Sequence, residues 1–102
     1  MVEKRVPHYD LAGIRLLFPS VDRLRITTSA SRDAFLIGYD HASVVRVIQT
    51  IKRRHFYKSM TADDNPAAWQ DVYHVPDGGA VLYIKFTDNA INKMMVLSFK
   101  EM

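Results

Sequence analysis

Two short apolar runs near the middle of the chain each contain one polar side chain that can take part in chemistry. Lys58 interrupts the run HFYKSM, and Gln70 interrupts the run WQDVY. A lysine or glutamine that faces a packed core costs several kcal/mol unless it is paired. We therefore expect both side chains on the accessible face of a sheet, where a cation can stabilise anionic oxygens and an amide can position a substrate.

Strand alternation brings further side chains to this open face, because residues i and i+2 of a strand share a side. The set that joins Lys58 and Gln70 mixes cations, rings and one imidazole: Phe56, Met60, Val72, His74, Val81, Tyr83, Lys85, Ser98 and Lys100. The opposite set is predicted to be core: Tyr57, Trp69, Tyr73, Leu82, Ile84, Phe86, Met95, Leu97 and Phe99. Lysines for phosphates and rings for unpaired bases are typical of an RNA-binding surface, although a plain solvated sheet face shows the same pattern.

RNA cleavage suits such a face because RNA carries its own nucleophile. The 2′-hydroxyl attacks the adjacent phosphorus and expels the 5′-oxygen, leaving a 2′,3′-cyclic phosphate, so the protein has only to orient, deprotonate and stabilise. We expect Lys58 to stabilise the phosphorane as a cation, or to act as a base if burial favours its neutral amine. Tyr83 donates a proton or stacks on a base, and Gln70 positions the phosphate or ribose. His74 is either a phosphate ligand or general acid, or a plain hairpin residue.

A basic block formed by Lys52, Arg53 and Arg54 precedes the first of these strands. Clustered cations favour an anionic partner, so Arg53 and Arg54 are candidates to extend an RNA path beyond the open face. The alternative is that the block only places favourable charge at the negative end of a helix.

Composition limits the chain to one domain, residues 1–102, because 102 residues with 48% hydrophobic content supply a single core. The absence of cysteine fits a reducing compartment, and the cytoplasm is the expected location. No run approaches the roughly 18 apolar residues of a membrane helix. His8, His41 and His55 lack the spacing of metal ligands, so no metal or cofactor is predicted.

The elements that must position these side chains are three helices followed by a sheet. Helical spacing of apolar residues extends from Pro7 to Pro19, from a cap at Thr28 or Ser29 to Gly38, and from a cap at Asp40 to the basic block. A short edge strand is possible over Leu24 to Thr27. Four alternating runs follow: His55 to Met60, Trp69 to Val75, Ala80 to Thr87 and Met94 to Lys100.

The connections complete a layered architecture. Pro76 to Gly79 forms a tight hairpin turn, and Thr87 to Lys93 forms a longer polar loop. The helices must cover one face of a four-stranded antiparallel sheet to bury their apolar stripes, which is an α+β fold.

Several motifs together resemble the motility quorum-sensing regulator (MqsR) toxins. The matching segments are EKRVPHYDL, TTSASRDAFLIG, HFYKSM, WQDVY, YIKF and SFKEM, which occur in the family's order between Glu3 and Glu101. The resemblance implies a RelE-like fold and the toxin of a type II toxin–antitoxin pair. It also implies an endoribonuclease that cuts single-stranded messenger RNA at short GC-containing sequences, without ribosome or metal.

By motif position, the resemblance assigns the family's functional lysine, glutamine and tyrosine to Lys58, Gln70 and Tyr83. The position after WQDVY is often a basic arginine in the family and is His74 here. The implied partners are mRNA and an MqsA-like antitoxin with a zinc-binding domain and a helix-turn-helix domain, and the free toxin is expected to be a monomer. Two alternatives remain: a noncatalytic RNA-binding module, and a corepressor that acts through protein contacts.

Overall fold

A computed structural model describes residues 1–88 and 93–102 of the chain. It contains three helices and five strands: β1 Glu3–Lys4, α1 Leu11–Leu17, α2 Thr28–Leu36, α3 His41–Thr50, β2 Phe56–Thr61, β3 Trp69–Asp77, β4 Ala80–Thr87 and β5 Met95–Glu101. Part of the predicted loop from Thr87 to Lys93 lies outside the described residues. No helix in the described ranges is long and apolar enough to cross a membrane.

Each helix begins at a side chain that accepts a hydrogen bond from its first turn. Asp10 accepts from the backbone N–H of Gly13, Thr27 from that of Ala30, and Asp40 from that of Ser43. These caps satisfy N–H groups that have no partner within a helix. The predicted cap at Asp40 is confirmed. The predicted start at Pro7 is wrong, because residues before Asp10 follow the sheet edge, and the second helix is capped one residue earlier than predicted.

The sheet is antiparallel throughout, with its strands in chain order from β1 to β5. All four predicted strands are confirmed to within about two residues at their ends. The two-residue strand β1 was not predicted, since two residues are too few to show alternation. The predicted edge strand near residue 26 is reduced to one parallel bridge between Ile26 and Val96.

The three helices pack on one face of the sheet, which confirms the α+β prediction. Their buried side chains are Ile14, Phe18, Ala30, Ala34, Val44, Val47 and Ile48, and the sheet contributes Tyr73, Val75, Leu82, Ile84, Phe86, Val96 and Phe99. The other sheet face has no helix over it in the described part of the chain. It is the open face predicted from alternation.

Two irregularities in strand pairing interrupt the alternation. The register of β2 against β3 shifts between Phe56 and Lys58, and the register of β4 against β5 shifts between Lys85 and Phe86. An extra residue in one strand turns the side chains beyond it to the opposite face. The side assigned to a residue from alternation is therefore wrong beside each bulge.

The bulge in β2 exchanges the predicted places of two aromatic rings. Phe56 was predicted on the open face, but it pairs with Tyr73 and packs against the helix-side core. Tyr57 was predicted to be core, but it is 44% exposed. The shift in β5 has the same effect, because Met95 and Leu97 are only partly buried while Val96 takes the core position. Trp69 is also half-buried rather than part of the core cluster.

A buried carboxylate fastens the N-terminal segment to the middle of the sheet. Asp71 is fully buried, and its oxygens accept hydrogen bonds from the backbone N–H groups of His8 and Tyr9 and from the Ser59 hydroxyl. Tyr9 adds a second attachment, because its hydroxyl donates to the Trp69 carbonyl at 2.8 Å. These bonds hold the segment that follows β1 beside the edge of β2.

Replacing this carboxylate by its neutral isostere tests how strongly the segment is held. Asp71→Asn removes the charge that strengthens the hydrogen bonds from the His8 and Tyr9 N–H groups, so we expect the free energy of unfolding to fall by about 2–3 kcal/mol. Asp64→Asn, in the exposed loop after β2, is the matched control and should change it by less than about 0.5 kcal/mol. Urea titration measures both. Equal small effects would contradict a structural role for Asp71.

Candidate active site

Three neighbouring strands bring the predicted polar side chains onto the open face. Residues directly opposite in an antiparallel pair project to the same side. The register pairs on this face are His74 with Tyr83, Val72 with both Lys58 and Lys85, and Gln70 with Met60. The prediction that these side chains share one face is confirmed. Lys58 is central among them, because it lies between the His74–Tyr83 pair and the Met60–Gln70 pair.

An aromatic ladder crosses the three strands and consists of Tyr57, His74 and Tyr83. The Tyr57 and His74 rings are stacked, with centroids 4.3 Å apart and planes 21° apart. The His74 and Tyr83 centroids are 6.0 Å apart. Sequence reasoning missed Tyr57. The one signal for it was its neighbour Phe56, since two adjacent rings in a regular strand cannot both face the core.

Three cations approach the rings of this ladder. The Lys58 ammonium is 5.5 Å from the Tyr57 centroid, and the Arg5 guanidinium is also 5.5 Å from it. The Lys100 ammonium is 5.4 Å from the Tyr83 centroid. These distances fall within the range of cation–π attraction. The open face therefore combines flat rings for stacking with positive charge for phosphate.

Lys58 forms an ion pair with the edge strand β1. Its ammonium is 3.0 Å from a carboxylate oxygen of Glu3, and the two side chains are 20% and 41% exposed, respectively. Glu3 lies opposite Met60 in the register, so its side chain belongs to the open face. Sequence reasoning did not identify Glu3, because β1 itself was not recognised.

Burial affects the protonation of the groups around Lys58. Val72 is fully buried on the open face, so the longer side chains close over it and shield one another from water. Burial lowers the pKa of His74. Burial also raises the pKa of Tyr83, and the positive charge of Lys58 partly opposes that increase. Burial and the charge of Lys100 lower the pKa of Lys85. Near neutral pH the ladder thus presents a neutral imidazole and a protonated phenol.

A cavity of about 300 Å³ adjoins the ladder on the side of the β2–β3 loop. Gln70, Lys85 and Met60 line it together with the loop carboxylates Asp63 and Asp64. In the described ranges, no group of three or more His, Asp or Glu side chains is arranged to hold a metal ion. The cavity offers an amide and an ammonium to a substrate group that lies beside Lys58.

The basic block lies away from the open face. The Arg53 guanidinium is 4.9 Å from the ring of Phe56, on the helix side of β2, and Arg54 is exposed in the short 3₁₀ turn. Arg15, Lys52 and Arg53 line a larger helix-side cleft of about 800 Å³. Because α3 ends at Thr50, the block also follows that helix rather than occupying its last turn. The extension of an RNA path beyond the open face by Arg53 and Arg54 stays a prediction.

The fold and the open face define an α+β protein with a cationic, ring-lined sheet face, the kind of surface on which unpaired nucleic-acid strands bind in other proteins. A model of the family described as motility quorum-sensing regulator, toxin of MqsA, matches residues 6–101. The chain belongs to this MqsR toxin family. Among its relatives, the mRNA interferase toxin MqsR of Escherichia coli (strain K12) is 35% identical over 100 residues, which cover 98% of this chain and 99% of the relative. The resemblance drawn from the motifs is confirmed.

The lowered pKa of His74 predicts sensitivity of the fold to acid. Because its pKa in the folded state lies below the unfolded value of about 6.5, the unfolded state binds this proton more readily. Its stability contribution is complete above about pH 6.5 and is lost as pH falls towards the folded pKa. When the pH is lowered from about 7.5 to 5.5, we expect the free energy of unfolding to fall less in His74→Gln than in wild type. Urea titrations at both pH values test this, and equal losses would contradict it.

Proposed function

We propose that this protein is the toxin of a toxin–antitoxin pair and cuts single-stranded messenger RNA at its open face. Family membership and the name of the Escherichia coli relative support the activity. The position of Lys58 supports this face as the site of the reaction. Its ammonium is 5.5 Å from the Tyr57 ring centroid of the aromatic ladder, and the register pair that contains Gln70 is next to it on the other side. When a phosphate lies beside Lys58, the neighbouring base can stack on the rings of the ladder, and the ribose can form a hydrogen bond with the Gln70 amide.

The reaction is a transesterification within the RNA. The 2′-oxygen bonds to phosphorus, the bond from phosphorus to the 5′-oxygen breaks, and the products are a 2′,3′-cyclic phosphate and a 5′-hydroxyl. Lys58 stabilises the additional negative charge of the phosphorane, and Gln70 holds the phosphate or ribose in line. Tyr83 supplies a proton to the leaving 5′-oxygen, since a phenol carries its proton near neutral pH and burial raises the pKa of this one further.

The aromatic ladder accounts for a single-stranded substrate. Bases stack on protein rings only when they are unpaired, and Tyr57 presents the most exposed ring of the ladder. Lys85 and Lys100 lie on the same face and supply contacts to neighbouring phosphates. A preference for short GC-containing sequences, with His74 in the place of the family's arginine, stays a prediction.

The family description gives the toxin an antitoxin partner, MqsA. We propose that the partner of this chain carries a zinc-binding domain and a helix-turn-helix domain, that the free toxin is a monomer, and that both act in the cytoplasm, where messenger RNA is translated. The open face needs no second copy of the chain to complete the groups named above. The zinc would belong to the antitoxin.

Cleavage by the purified protein in EDTA tests the proposal. We expect fragments of single-stranded RNA that end in 2′,3′-cyclic phosphate, as mapped by end-labelling and mass spectrometry. Lys58→Met should lower kcat about 100- to 1,000-fold, because it removes the cation that stabilises the phosphorane. Lys93→Met, on the α1 side of the molecule, is the matched control and should cleave at the wild-type rate.

Binding of varied RNA sequences without any cleavage would contradict the enzymatic proposal and favour the noncatalytic RNA-binding alternative. If Lys58→Met cleaves RNA at the wild-type rate, the reaction does not take place on the open face.

The stacking role of Tyr57 has its own test. Tyr57→Leu should raise KM about 5- to 150-fold, since a base stacked on an aromatic ring contributes about 1–3 kcal/mol. Tyr57→Phe keeps the ring and should leave KM unchanged. Steady-state cleavage of a short fluorogenic RNA measures both variants. A similar KM for Leu and Phe would show that the ring does not bind a base.

A further inference from the structure

The proposed reaction requires an acceptor for the proton of the 2′-hydroxyl. Lys58 serves as the cation, and Tyr83 is a phenol whose raised pKa keeps its proton. Among the described residues, the candidate proton acceptors at the open face are the imidazole of His74, the carboxylate of Glu3 and the loop carboxylates Asp63 and Asp64. Their positions relative to Lys58 differ.

Glu3 is in direct contact with the predicted phosphate-binding cation. Its carboxylate oxygen is 3.0 Å from the Lys58 ammonium, and 41% of its side chain is exposed to solvent. A phosphate held by Lys58 therefore brings its own ribose within reach of this carboxylate. His74 is instead stacked against Tyr57, with ring centroids 4.3 Å apart, and no ion pair or hydrogen bond joins it to Lys58 among the described residues.

The chain holds Glu3 in this position from both sides of β1. The backbone N–H of Thr61 donates to the Val2 carbonyl, and the backbone N–H of Val2 donates to the Thr61 hydroxyl, both at 2.9 Å. Further along, the buried Asp71 binds the backbone at His8. A catalytic group needs this kind of anchoring, because small displacements of reacting groups reduce rates strongly.

The other described carboxylates near this half of the sheet are placed for different contacts. Asp71 faces the helix side and is occupied by backbone donors. Asp63 and Asp64 line the cavity of the β2–β3 loop, on the Gln70 side. Lys58 from β2 is the charged group in contact with Glu3, and Arg5 from the same N-terminal segment approaches the neighbouring Tyr57 ring.

We propose that Glu3 is the general base that removes the proton of the 2′-hydroxyl. In this step the 2′-oxygen gives its proton to the Glu3 carboxylate as it bonds to phosphorus, and the 5′-oxygen departs with a proton from Tyr83. The protonated Glu3 then releases its proton to water, and the Tyr83 phenolate takes one from water, so both groups return to their starting states. The inference rests on the proposed cleavage at the open face.

Replacing Glu3 by its neutral isostere tests the inference on the full-length protein. Glu3→Gln should lower kcat about 100- to 10,000-fold at pH 7, with KM within a few-fold of wild type, and Glu3→Asp should retain part of the rate. Glu101→Gln, an exposed position at the end of β5, is the matched control and should cleave normally. Urea midpoints and circular dichroism establish that each variant is folded.

The pH dependence of kcat/KM separates Glu3 from His74 and from a positioning role. A carboxylate base at this position predicts an acidic limb that Glu3→Gln abolishes in its residual activity and His74→Gln keeps. An acidic limb that is instead lost in His74→Gln and kept in Glu3→Gln would overturn the inference in favour of the imidazole. A lower KM with unchanged kcat in Glu3→Gln would overturn it by showing that Glu3 only competes with phosphate for Lys58. If wild type itself fails to cleave any RNA, the proposed function fails rather than the assignment of the base.

Discussion

The geometry of the open face depends on one irregularity, the bulge of β2 between Phe56 and Lys58. Because Tyr57 is an extra residue in the strand there, it lies on the same side of the sheet as Lys58, and Phe56 lies on the helix side. Phe56 closes the helix-side core against Tyr73, while Tyr57 stacks on His74 and has the Lys58 ammonium 5.5 Å from its ring centroid. A regular strand would place Tyr57 on the helix side and Phe56 on the open face. The same local distortion therefore serves both the core and the site.

The N-terminal segment completes the site from outside the main hairpins. β1 is only two residues long, so its own hydrogen bonds would not hold it at the sheet edge. Asp71 supplies the missing attachment, since its buried carboxylate binds backbone N–H groups that follow β1. Leaving those groups unpaired in the interior would be costly, which fixes the path of the segment. Glu3 consequently reaches Lys58 from a strand that lies more than fifty residues away in sequence.

Much of this arrangement was predictable from the sequence, because it follows from regular periodicity. The cap at Asp40, the four long strands and the shared face of Lys58, Gln70 and Tyr83 all follow from spacing. Bulges are different, since nothing in a run such as HFYKSM marks which residue is extra, and the faces of Phe56 and its neighbour were therefore exchanged. Strand β1 was missed because two residues cannot show a period. The helix-side location of the basic block depends on tertiary packing, which local charge does not report.

We propose that RNA binds and reacts on the open face of the sheet and not in the basic helix-side cleft. An NMR titration with a short RNA that carries 2′-O-methyl groups, and so cannot be cleaved, distinguishes the two surfaces. We expect side-chain and amide shifts to concentrate on Lys58, Gln70 and the three rings of the aromatic ladder, with the cleft residues Arg15 and Arg53 little changed. Shifts concentrated in the cleft, with an unchanged spectrum for the ladder, would contradict it.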